Sequence, residues 1–383
     1  MRWALMLAWL CGCGRIAIDP IADDGAMPDA PPTGPGVFAV AAHVNSSCMI
    51  LDGALSCWGA NANGQLATGD TMDRFARTPI GSERDWIAIA PGETHICGLR
   101  AGGDLYCWGG NDNGELGQGD MMERHVPTRV PLARPVVAID AWSHTCAILD
   151  NGELWCWGQN AEGELGQNDS NGAAPIPSPV QVSPGMTWSR VGLGQGHTLA
   201  YGAAGLYGTG RNVDSELGLG PTGSPQLRVM TAIDTAAWTT INGAQNSSCG
   251  RRADQTIACW GANDFGPLGT GDKLNRDVPT TVGTTEMWRT VDIDTFHSCA
   301  LAMTNQIYCT GRNVEGQLGT GDFMDRMDWT LSSTFSDWIL LSVGRFHTCG
   351  MRADHSVWCV GQNTNGQLGV TGTQNRANWL QVL

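Results

Sequence analysis

VVAIDAWSHTCAILDNGELWCWGQNAEGELGQND, residues 136–169, is the clearest copy of a sequence unit that recurs through the chain. One glycine marks each copy, at Gly59, Gly109, Gly158, Gly210, Gly261, Gly311 and Gly361. Successive marker glycines lie 50, 49, 52, 51, 50 and 50 residues apart. Seven copies therefore fill residues 37–383 of the 383-residue chain. A repeat of about fifty residues is typical of a propeller or a solenoid.

The pattern inside each copy favours the propeller. Short runs rich in Trp, Ile, Val, Cys and Thr alternate with Gly, Asn and Asp, which is typical of strands joined by turns. No part of the repeats has a sustained apolar period of 3.6, so we expect no important helices. Four such runs occur per copy, exemplified by WSRVGL, HTCAIL, ELWCWG and PSPVQV. The sequence therefore predicts an all-β, seven-bladed propeller of four-stranded repeats, whose closure protects the sheet edges.

Cysteines come in pairs, one pair in each of six copies. The pairs are Cys48 with Cys57, Cys97 with Cys107, Cys146 with Cys156, Cys249 with Cys259, Cys299 with Cys309, and Cys349 with Cys359. The fourth copy lacks both members, with Leu199 and Gly208 in their places. Joint loss is expected of a bonded pair, because a single remaining thiol would be reactive.

The spacing within the pairs fits a β-hairpin. Pairing Cys48 with Cys57 leaves Asp52-Gly53 as a two-residue turn of the favoured type I′. The other pairs leave a three-residue loop such as residues 150–152. Both spacings put the cysteines on directly opposed residues, within disulfide range. We therefore expect a hairpin disulfide in six blades; the alternatives are buried free cysteines or zinc, although the short C-x-x-C spacing of zinc sites is missing.

The first 36 residues differ from the repeats. Residues 1–12 combine Arg2 with a short apolar run, as in a secretory signal peptide. Leu10-Cys11-Gly12-Cys13 resembles a bacterial lipobox, which implies cleavage after Gly12 and lipidation of Cys13. An ordinary secretory signal is the alternative. Residues 13–36 are rich in Pro, Asp and Gly and predict a flexible tether. We expect a cell-envelope protein, lipid-anchored to a bacterial membrane (the outer membrane or the surface) or secreted, in agreement with disulfides.

The loop of the repeat identifies a resemblance. WGANANGQLATGD at residues 58–70 and CTGRNVEGQLGTGD at residues 309–322 resemble the repeat of the regulator of chromosome condensation family, and the pattern extends over all seven copies. The resemblance also implies a seven-bladed propeller. The family's founder is a nucleotide-exchange factor for a nuclear GTPase, which an exported protein would not meet. We therefore expect no exchange activity.

The charge balance restricts the class of partner. Asp and Glu number 37 against 22 Lys and Arg, which gives a net charge of −15. Nucleic-acid binding needs a basic surface, so we expect no nucleic-acid partner. A neutral or basic protein is the expected partner, and contact with the membrane is expected only through the lipid.

Histidine recurs two residues before the cysteine position. His95, His144, His197, His297 and His347 share that place, with Ser46 and Ser247 in the other two copies. A ring of histidines could bind a metal or relay protons. The expected ring is wide for shared coordination, so we predict hydrogen bonds to the backbone or to a neighbouring blade, and no metal site.

Other polar residues also recur in most copies, which indicates a role in stabilising the fold of the repeat. One asparagine position is filled in all seven copies, by Asn61, Asn111, Asn160, Asn212, Asn263, Asn313 and Asn363. Asparagine commonly fixes turns through its backbone contacts. Aspartates close the loop at Asp70, Asp120, Asp169, Asp272 and Asp322, and arginines follow at Arg74, Arg124, Arg276 and Arg326. We predict loop-stabilising ion pairs; calcium is the alternative.

The fourth copy departs most from the repeat and supplies candidate binding residues. Loops on a rigid scaffold commonly carry recognition, so we expect exposed partner-binding residues there. The candidates are Arg211, Asp214, Glu216, Gln226 and Arg228. Drift of one blade without function is the alternative. The oligomeric state is not predicted.

No catalytic motif or cofactor-binding motif occurs. The chain lacks G-x-S-x-G, H-E-x-x-H and a phosphate-binding glycine loop. We therefore expect a rigid protein-binding scaffold that needs no cofactor. The alternative is an envelope enzyme or a glycan-binding propeller with its site at the channel mouth. Carboxylates clustered at one mouth would favour the enzyme, and a flat apolar-aromatic face would favour binding.

Overall fold

Each repeat forms one four-stranded antiparallel sheet, and the four strands of a sheet are consecutive in the chain. The computed structural model describes residues 38–168, 174–283 and 285–382. Blades 1 and 2 comprise β1 (Phe38–Ala42), β2 (Ser46–Leu51), β3 (Ala54–Gly59), β4 (Arg74–Pro79), β5 (Trp86–Pro91), β6 (His95–Arg100), β7 (Leu105–Gly109) and β8 (Arg124–Arg129). Blades 3 and 4 comprise β9 (Val136–Ala141), β10 (His144–Leu149), β11 (Leu154–Gly158), β12 (Ile176–Val182), β13 (Trp188–Leu193), β14 (His197–Gly202), β15 (Gly205–Arg211) and β16 (Gln226–Asp234).

The remaining three blades follow the same plan. Blades 5 and 6 comprise β17 (Trp238–Gly243), β18 (Ser247–Arg252), β19 (Ile257–Gly261), β20 (Arg276–Val282), β21 (Trp288–Ile293), β22 (His297–Ala302), β23 (Ile307–Gly311) and β24 (Arg326–Leu331). Blade 7 comprises β25 (Trp338–Val343), β26 (His347–Arg352), β27 (Val357–Gly361) and β28 (Arg376–Gln381). The prediction of an all-β, seven-bladed propeller is confirmed.

The first strand of each blade lies at the centre of the ring. First strands of neighbouring blades, such as β1 and β5 or β13 and β17, contact one another. The fourth strands lie outside, and β4 has mostly exposed residues. Apolar side chains fill the space between the blades, with Trp58, Trp157 and Trp260 completely buried. The core is thus a series of interfaces between blades, built by the residues that alternate inward along the strands.

The cysteine pairs form six disulfides, and every predicted pairing is confirmed. In each bond the two Cα atoms lie 4.1 Å apart, across the hairpin of the second and third strands. The bonds join Cys48 to Cys57, Cys97 to Cys107, Cys146 to Cys156, Cys249 to Cys259, Cys299 to Cys309, and Cys349 to Cys359. The alternatives of buried free cysteines and of zinc ligands are therefore wrong for these twelve residues.

The register of the hairpins explains why the pairs can bond. Cys48 lies directly opposite Cys57 across β2 and β3. Asp52 and Gly53 have φ of 50° and 73°, the positive values that a type I′ turn requires. In blade 4, Leu199 and Gly208 lie opposite each other in the same register. Each bond closes a short loop, which contributes roughly 2.5–3 kcal/mol in the chain-entropy model.

Neighbouring blades are joined by pairs of side-chain hydrogen bonds, in which a hydroxyl and an indole N–H of one blade donate to the same backbone carbonyl of the preceding blade. The hydroxyl of Thr145 and the indole N–H of Trp157 both donate to the Glu115 carbonyl of the preceding blade, each at 2.8 Å. Ser47 and Trp58 of blade 1 donate in the same way to the Gln367 carbonyl of blade 7, each at 2.9 Å. The ring therefore closes with the same contacts that join consecutive blades.

The antiparallel order gives the ring two different faces. The hairpin face carries the turns between second and third strands and the linkers between blades. The loop face carries the turns between first and second strands and the long loops between third and fourth strands. The turn and the long loop of one blade contact each other; in blade 1, for example, the Ala60 N–H donates to the Asn45 carbonyl at 2.9 Å. No helix in the described part of the chain is long and apolar enough to cross a membrane. The predicted signal, the lipid site Cys13 and the tether (residues 1–36) lie outside the described residues.

Candidate binding face

Exposed apolar side chains are concentrated on the loop face. Among the described residues, the large apolar side chains exposed in its loops are Met72, Met121, Met122, Val213, Phe265, Leu274, Val314, Phe323 and Met324. Those in the turns and linkers of the hairpin face are Met287 and Met303. Contiguous exposed apolar surface marks interaction sites more often than scattered single residues do. The loop face is therefore the candidate binding face.

Three phenylalanines on this face form a cluster that bridges blades 5, 6 and 7. The Phe265 and Phe296 rings meet edge to face with centroids 5.1 Å apart, and Phe296 stacks on Phe346 at 5.2 Å. The guanidinium of Arg312 lies 5.0 Å from the Phe296 ring centre and is held by Glu315 at 2.9 Å. We call Phe265, Phe296 and Phe346 the phenylalanine cluster. It combines flat apolar surface with a cation, which suits recognition of another protein.

The cluster breaks the repeat. Phe296 and Phe346 occupy the position directly before the recurrent histidine. The other copies have Asn45, Thr94, Ser143, Gly196 and Asn246 there. Sequence reasoning missed these phenylalanines, although their departure from polar or small residues was visible. That departure indicates a role other than holding the scaffold together.

Arg345 lies at the centre of the loop face. Its guanidinium belongs to blade 7, yet it lies 3.4 Å from the Glu93 carboxylate of blade 2. It also lies 5.4 Å from the ring centre of Trp142 in blade 3. An arginine, an aromatic ring and a carboxylate therefore meet across the centre, beside the phenylalanine cluster. The mouth on this face therefore combines one arginine with a carboxylate and an aromatic ring.

The residues predicted in blade 4 bind mainly to their own neighbours. Arg211 donates to Asp214 at 2.8 Å and to Glu216 at 2.5 Å. Gln226 donates to the Glu162 carboxylate of blade 3 at 3.0 Å, and Arg228 is half-buried beside the same loop. The expectation of exposure is wrong: the Glu216 side chain is fully buried, and the other four residues are half-buried. Glu216 occupies a repeat position that is buried in five further copies, as Gln65, Glu115, Glu164, Gln317 and Gln367. Partner binding by these five residues stays a prediction.

The recurrent histidines form hydrogen bonds to the neighbouring blade, which is one of the two roles that the sequence predicts for them. The His144 Nε2 atom lies 2.7 Å from the Thr198 hydroxyl of the next blade. That hydroxyl donates its own proton to the Glu164 carbonyl, so the histidine must be the donor and its Nδ1 carries no proton. The same contact joins His95 to Thr145, His197 to Ser248, His297 to Thr348 and His347 to Ser47. Among the described residues, no group of three or more His, Cys, Asp or Glu could hold a metal.

Burial keeps these five histidines neutral. Their rings are completely buried, and the five Nδ1 atoms have no hydrogen-bond partner among the described residues. Desolvation lowers the pKa of His144, His197 and His347 to about 3. The same cause lowers the pKa of His95 and His297 to about 4. A charged form is therefore strongly disfavoured inside the ring.

The other repeated polar residues shape the loops. In all seven blades the asparagine Oδ1 accepts the backbone N–H of the residue five positions later, as Asn61 does from Leu66 at 2.8 Å. The predicted ion pairs are confirmed as Asp70–Arg74, Asp120–Arg124, Asp272–Arg276 and Asp322–Arg326, at 2.6–2.9 Å. Asp169 lies outside the described residues.

Glu164 is a buried acid that sequence reasoning did not single out. Its Oε2 accepts the Glu162 backbone N–H at 2.7 Å, while Oε1 has no hydrogen-bond partner among the described residues. The equivalent Glu115 of blade 2 has both oxygens bonded, because the Asn113 backbone and side chain each donate at 2.9 Å. Burial raises the pKa of Glu164 to about 7. This carboxyl group weakens the interface whenever it is ionised.

Comparison with known proteins agrees with the repeat seen in the loops. Models of the regulator of chromosome condensation (RCC1) repeat match residues 102–148 and residues 86–115, 142–164 and 338–367. These segments of the chain therefore match the RCC1 repeat. No curated protein sequence matches the chain.

Solved structures resemble the RCC1-repeat propeller in fold. Prp20p from Saccharomyces cerevisiae aligns with a TM-score of 0.72 at 17% identity, covering 89% of this chain and 86% of its own. Human WBSCR16 aligns with a TM-score of 0.75 at 16% identity, covering 86% of this chain and 94% of its own. At such identities the likeness establishes the propeller fold alone.

Proposed function

We propose that the protein is a lipid-anchored protein of a bacterial cell envelope whose propeller binds another protein through the loop face. The phenylalanine cluster carries the binding part of the proposal, because it is a patch of aromatic surface that the repeat does not require. Blades that are each cross-linked internally by a hairpin disulfide, six of the seven, form a rigid scaffold, and a rigid scaffold lowers the entropy cost of association. The net charge of −15 favours a neutral or basic partner.

Proteins of the same fold support a scaffold role. The structure of yeast Prp20p was determined together with its binding properties to Gsp1p and histones, and a structure of Kap60 bound to Prp20 is also known. We do not extend those partners to this chain. We propose that it has no nucleotide-exchange activity, because we place it outside the cytoplasm.

Replacing Phe296 and Phe346 with asparagine is expected to remove partner binding. Asparagine occupies this position in blades 1 and 5, as Asn45 and Asn246, so the scaffold already accepts it. The full chain would serve as bait on envelope and secreted fractions of the source organism. We expect capture of a specific protein to fall at least about tenfold in Phe296→Asn/Phe346→Asn, since interface aromatic residues are common hot spots.

The matched control changes exposed apolar residues on the opposite face. Met287→Asn/Met303→Asn should capture as much partner as the unmodified chain, and both variants should still unfold in a single urea transition, at a lower midpoint in the phenylalanine variant because it loses the ring contacts. Capture that survives in the phenylalanine variant but is lost in Gln226→Ala/Arg228→Ala would place the site on blade 4. If the unmodified chain captures no protein, the scaffold proposal is wrong and the glycan or enzyme alternative takes its place.

Lipidation at Cys13 is expected to be visible by metabolic labelling. In a bacterial host grown with an alkyne-tagged fatty acid, the unmodified chain should take up label and sediment with membranes. Cys13→Ser should do neither, whereas Cys11→Ser, which changes the neighbouring cysteine, should behave as the unmodified chain. Equal labelling of the two variants, or none in the unmodified chain, would refute the anchor and favour an ordinary secretory signal.

A further inference from the structure

Four loops of the loop face present an apolar side chain to solvent at the same repeat position. The residue two places after the ion-paired aspartate is Met72 in blade 1, Met122 in blade 2, Leu274 in blade 5 and Met324 in blade 6. Their exposed fractions are 63%, 63%, 67% and 67%. Met121 and Phe323 lie beside them and are also exposed. We call these six residues the apolar rim.

The backbone of the rim is fixed without help from its side chains. The Met72 N–H donates to Asp70 Oδ1 at 3.0 Å, and its carbonyl accepts Arg74 Nη1 at 2.6 Å. The Asn61 side chain donates to the same carbonyl at 3.1 Å. The aspartate and arginine contacts recur at Met122, Leu274 and Met324. The loop conformation therefore does not depend on whether the rim side chain is apolar.

Methionine at these positions has a chemistry that leucine lacks. Two-electron oxidation converts its thioether into a polar sulfoxide, and methionine sulfoxide reductases reverse the change. Susceptibility follows exposure, and the rim sulfurs project into solvent, whereas Met49 and Met351 are buried. The six disulfides are also buried, so an oxidant or reductant that reaches the rim does not reach them.

We propose that Met72, Met121, Met122 and Met324 are sites of reversible sulfoxidation that switches the loop face between an apolar and a polar state. The oxidant is hydrogen peroxide: its O–O bond breaks, one oxygen forms an S–O bond with the thioether, and the other leaves as water. A thiol-dependent sulfoxide reductase restores the thioether, with the oxygen leaving as water and two thiols becoming a disulfide. The effect on a partner rests on the proposed function; the modification itself does not.

Blade 5 provides the control, because Leu274 is an apolar rim residue that cannot form a sulfoxide. A variant carrying Met72→Leu, Met121→Leu, Met122→Leu and Met324→Leu keeps the rim apolar in all four of its blades. A second variant, Met287→Leu/Met303→Leu, removes the exposed methionines of the hairpin face and leaves the rim unchanged. The two variants separate oxidation of the rim from oxidation elsewhere.

The full chain would be treated with increasing hydrogen peroxide and mapped by peptide mass spectrometry. We expect the four rim methionines to oxidise at least about tenfold faster than Met49 and Met351. Retention on a hydrophobic-interaction column should decrease, recover after treatment with sulfoxide reductase and dithiol, and decrease much less in the rim leucine variant, which keeps only the exposed Met287 and Met303 of the hairpin face. The hairpin-face variant should show most of the decrease of the unmodified chain, and the urea midpoint should not move.

Two results would overturn the switch: oxidation of Met49 or Met351 as fast as the rim in the folded protein, or a retention change that is as large in the rim leucine variant as in the unmodified chain. Unchanged retention after complete rim oxidation would overturn it as well. None of these readouts uses a partner. Failure of the switch can therefore be told from failure of the proposed binding, which the phenylalanine variants test.

Discussion

Lowering the pH from 6.5 towards 4 is expected to destabilise the folded protein steeply. The five recurrent histidines have an unfolded pKa of 6.5 and a folded pKa of about 3 to 4. Between those values the unfolded chain binds protons that the folded chain does not. Each histidine then removes about 1.4 kcal/mol of unfolding free energy per pH unit, so five remove up to about 7 kcal/mol per pH unit. Stability should be regained as the pH rises through 6.5.

A histidine-to-serine variant isolates this effect. Serine already occupies the position in blades 1 and 5, as Ser46 and Ser247. Urea unfolding would be measured at several pH values for the unmodified chain and for His197→Ser. The variant loses packing at neutral pH, but below pH 6.5 its stability should fall less steeply, by about 1.4 kcal/mol per pH unit. An identical slope in both proteins would mean that His197 is not held neutral by the fold.

Glu164→Gln is expected to stabilise the protein at neutral and alkaline pH. Because the folded pKa of Glu164 is about 7 against 4.5 when unfolded, ionisation costs the folded state stability as the pH rises from 4.5 through 7. Removing the charge should raise the unfolding free energy by about 3 kcal/mol at about pH 8. The gain should vanish near pH 4.5, where Glu164 is protonated in the folded state. Urea unfolding at both pH values measures it.

Other blades show how glutamine fits this position. In blade 6, Gln317 Oε1 accepts the Glu315 backbone N–H at 3.0 Å, and its amide donates to the Glu315 carboxylate at 3.2 Å. Glu162 provides the same two groups for a glutamine at position 164. The matched control is Glu115→Gln, which replaces an acceptor facing the Asn113 amide with a donor and should give no gain. Equal gains in the two variants would show that the ionisation of Glu164 is not the cause.

The scaffold was predictable from the sequence because its chemistry is local and repeated. The cysteine pairs define the hairpin register, and Asp52-Gly53 defines the turn, since both depend on residues a few positions apart. The asparagine network and the Asp–Arg pairs follow for the same reason. Comparing the copies was therefore sufficient to infer the blade.

The candidate site was predicted less well, because it depends on contacts between distant residues. Glu216 was expected to be exposed, although its Gln/Glu repeat position already indicated a scaffold role. The phenylalanine cluster unites side chains from three blades, and only the curvature of the ring brings Phe265 to Phe296. Whether Glu164 Oε1 finds a hydrogen-bond donor among the described residues likewise depends on how neighbouring side chains are oriented, which spacing along the chain does not specify.

The interface between blades 7 and 1 differs from the other six in one respect. Elsewhere, neighbouring blades are joined by a short linker as well as by hydrogen bonds and packing. Blades 7 and 1 have contacts of the same kind, such as Ser47 to His347 and Trp58 to Gln367, but no direct covalent link. Under mechanical load or thermal fluctuation, separation at this interface costs no stretching of the backbone. We therefore expect the ring to open first at the interface between blades 7 and 1. Closing it again requires only that the two blade surfaces come back into contact.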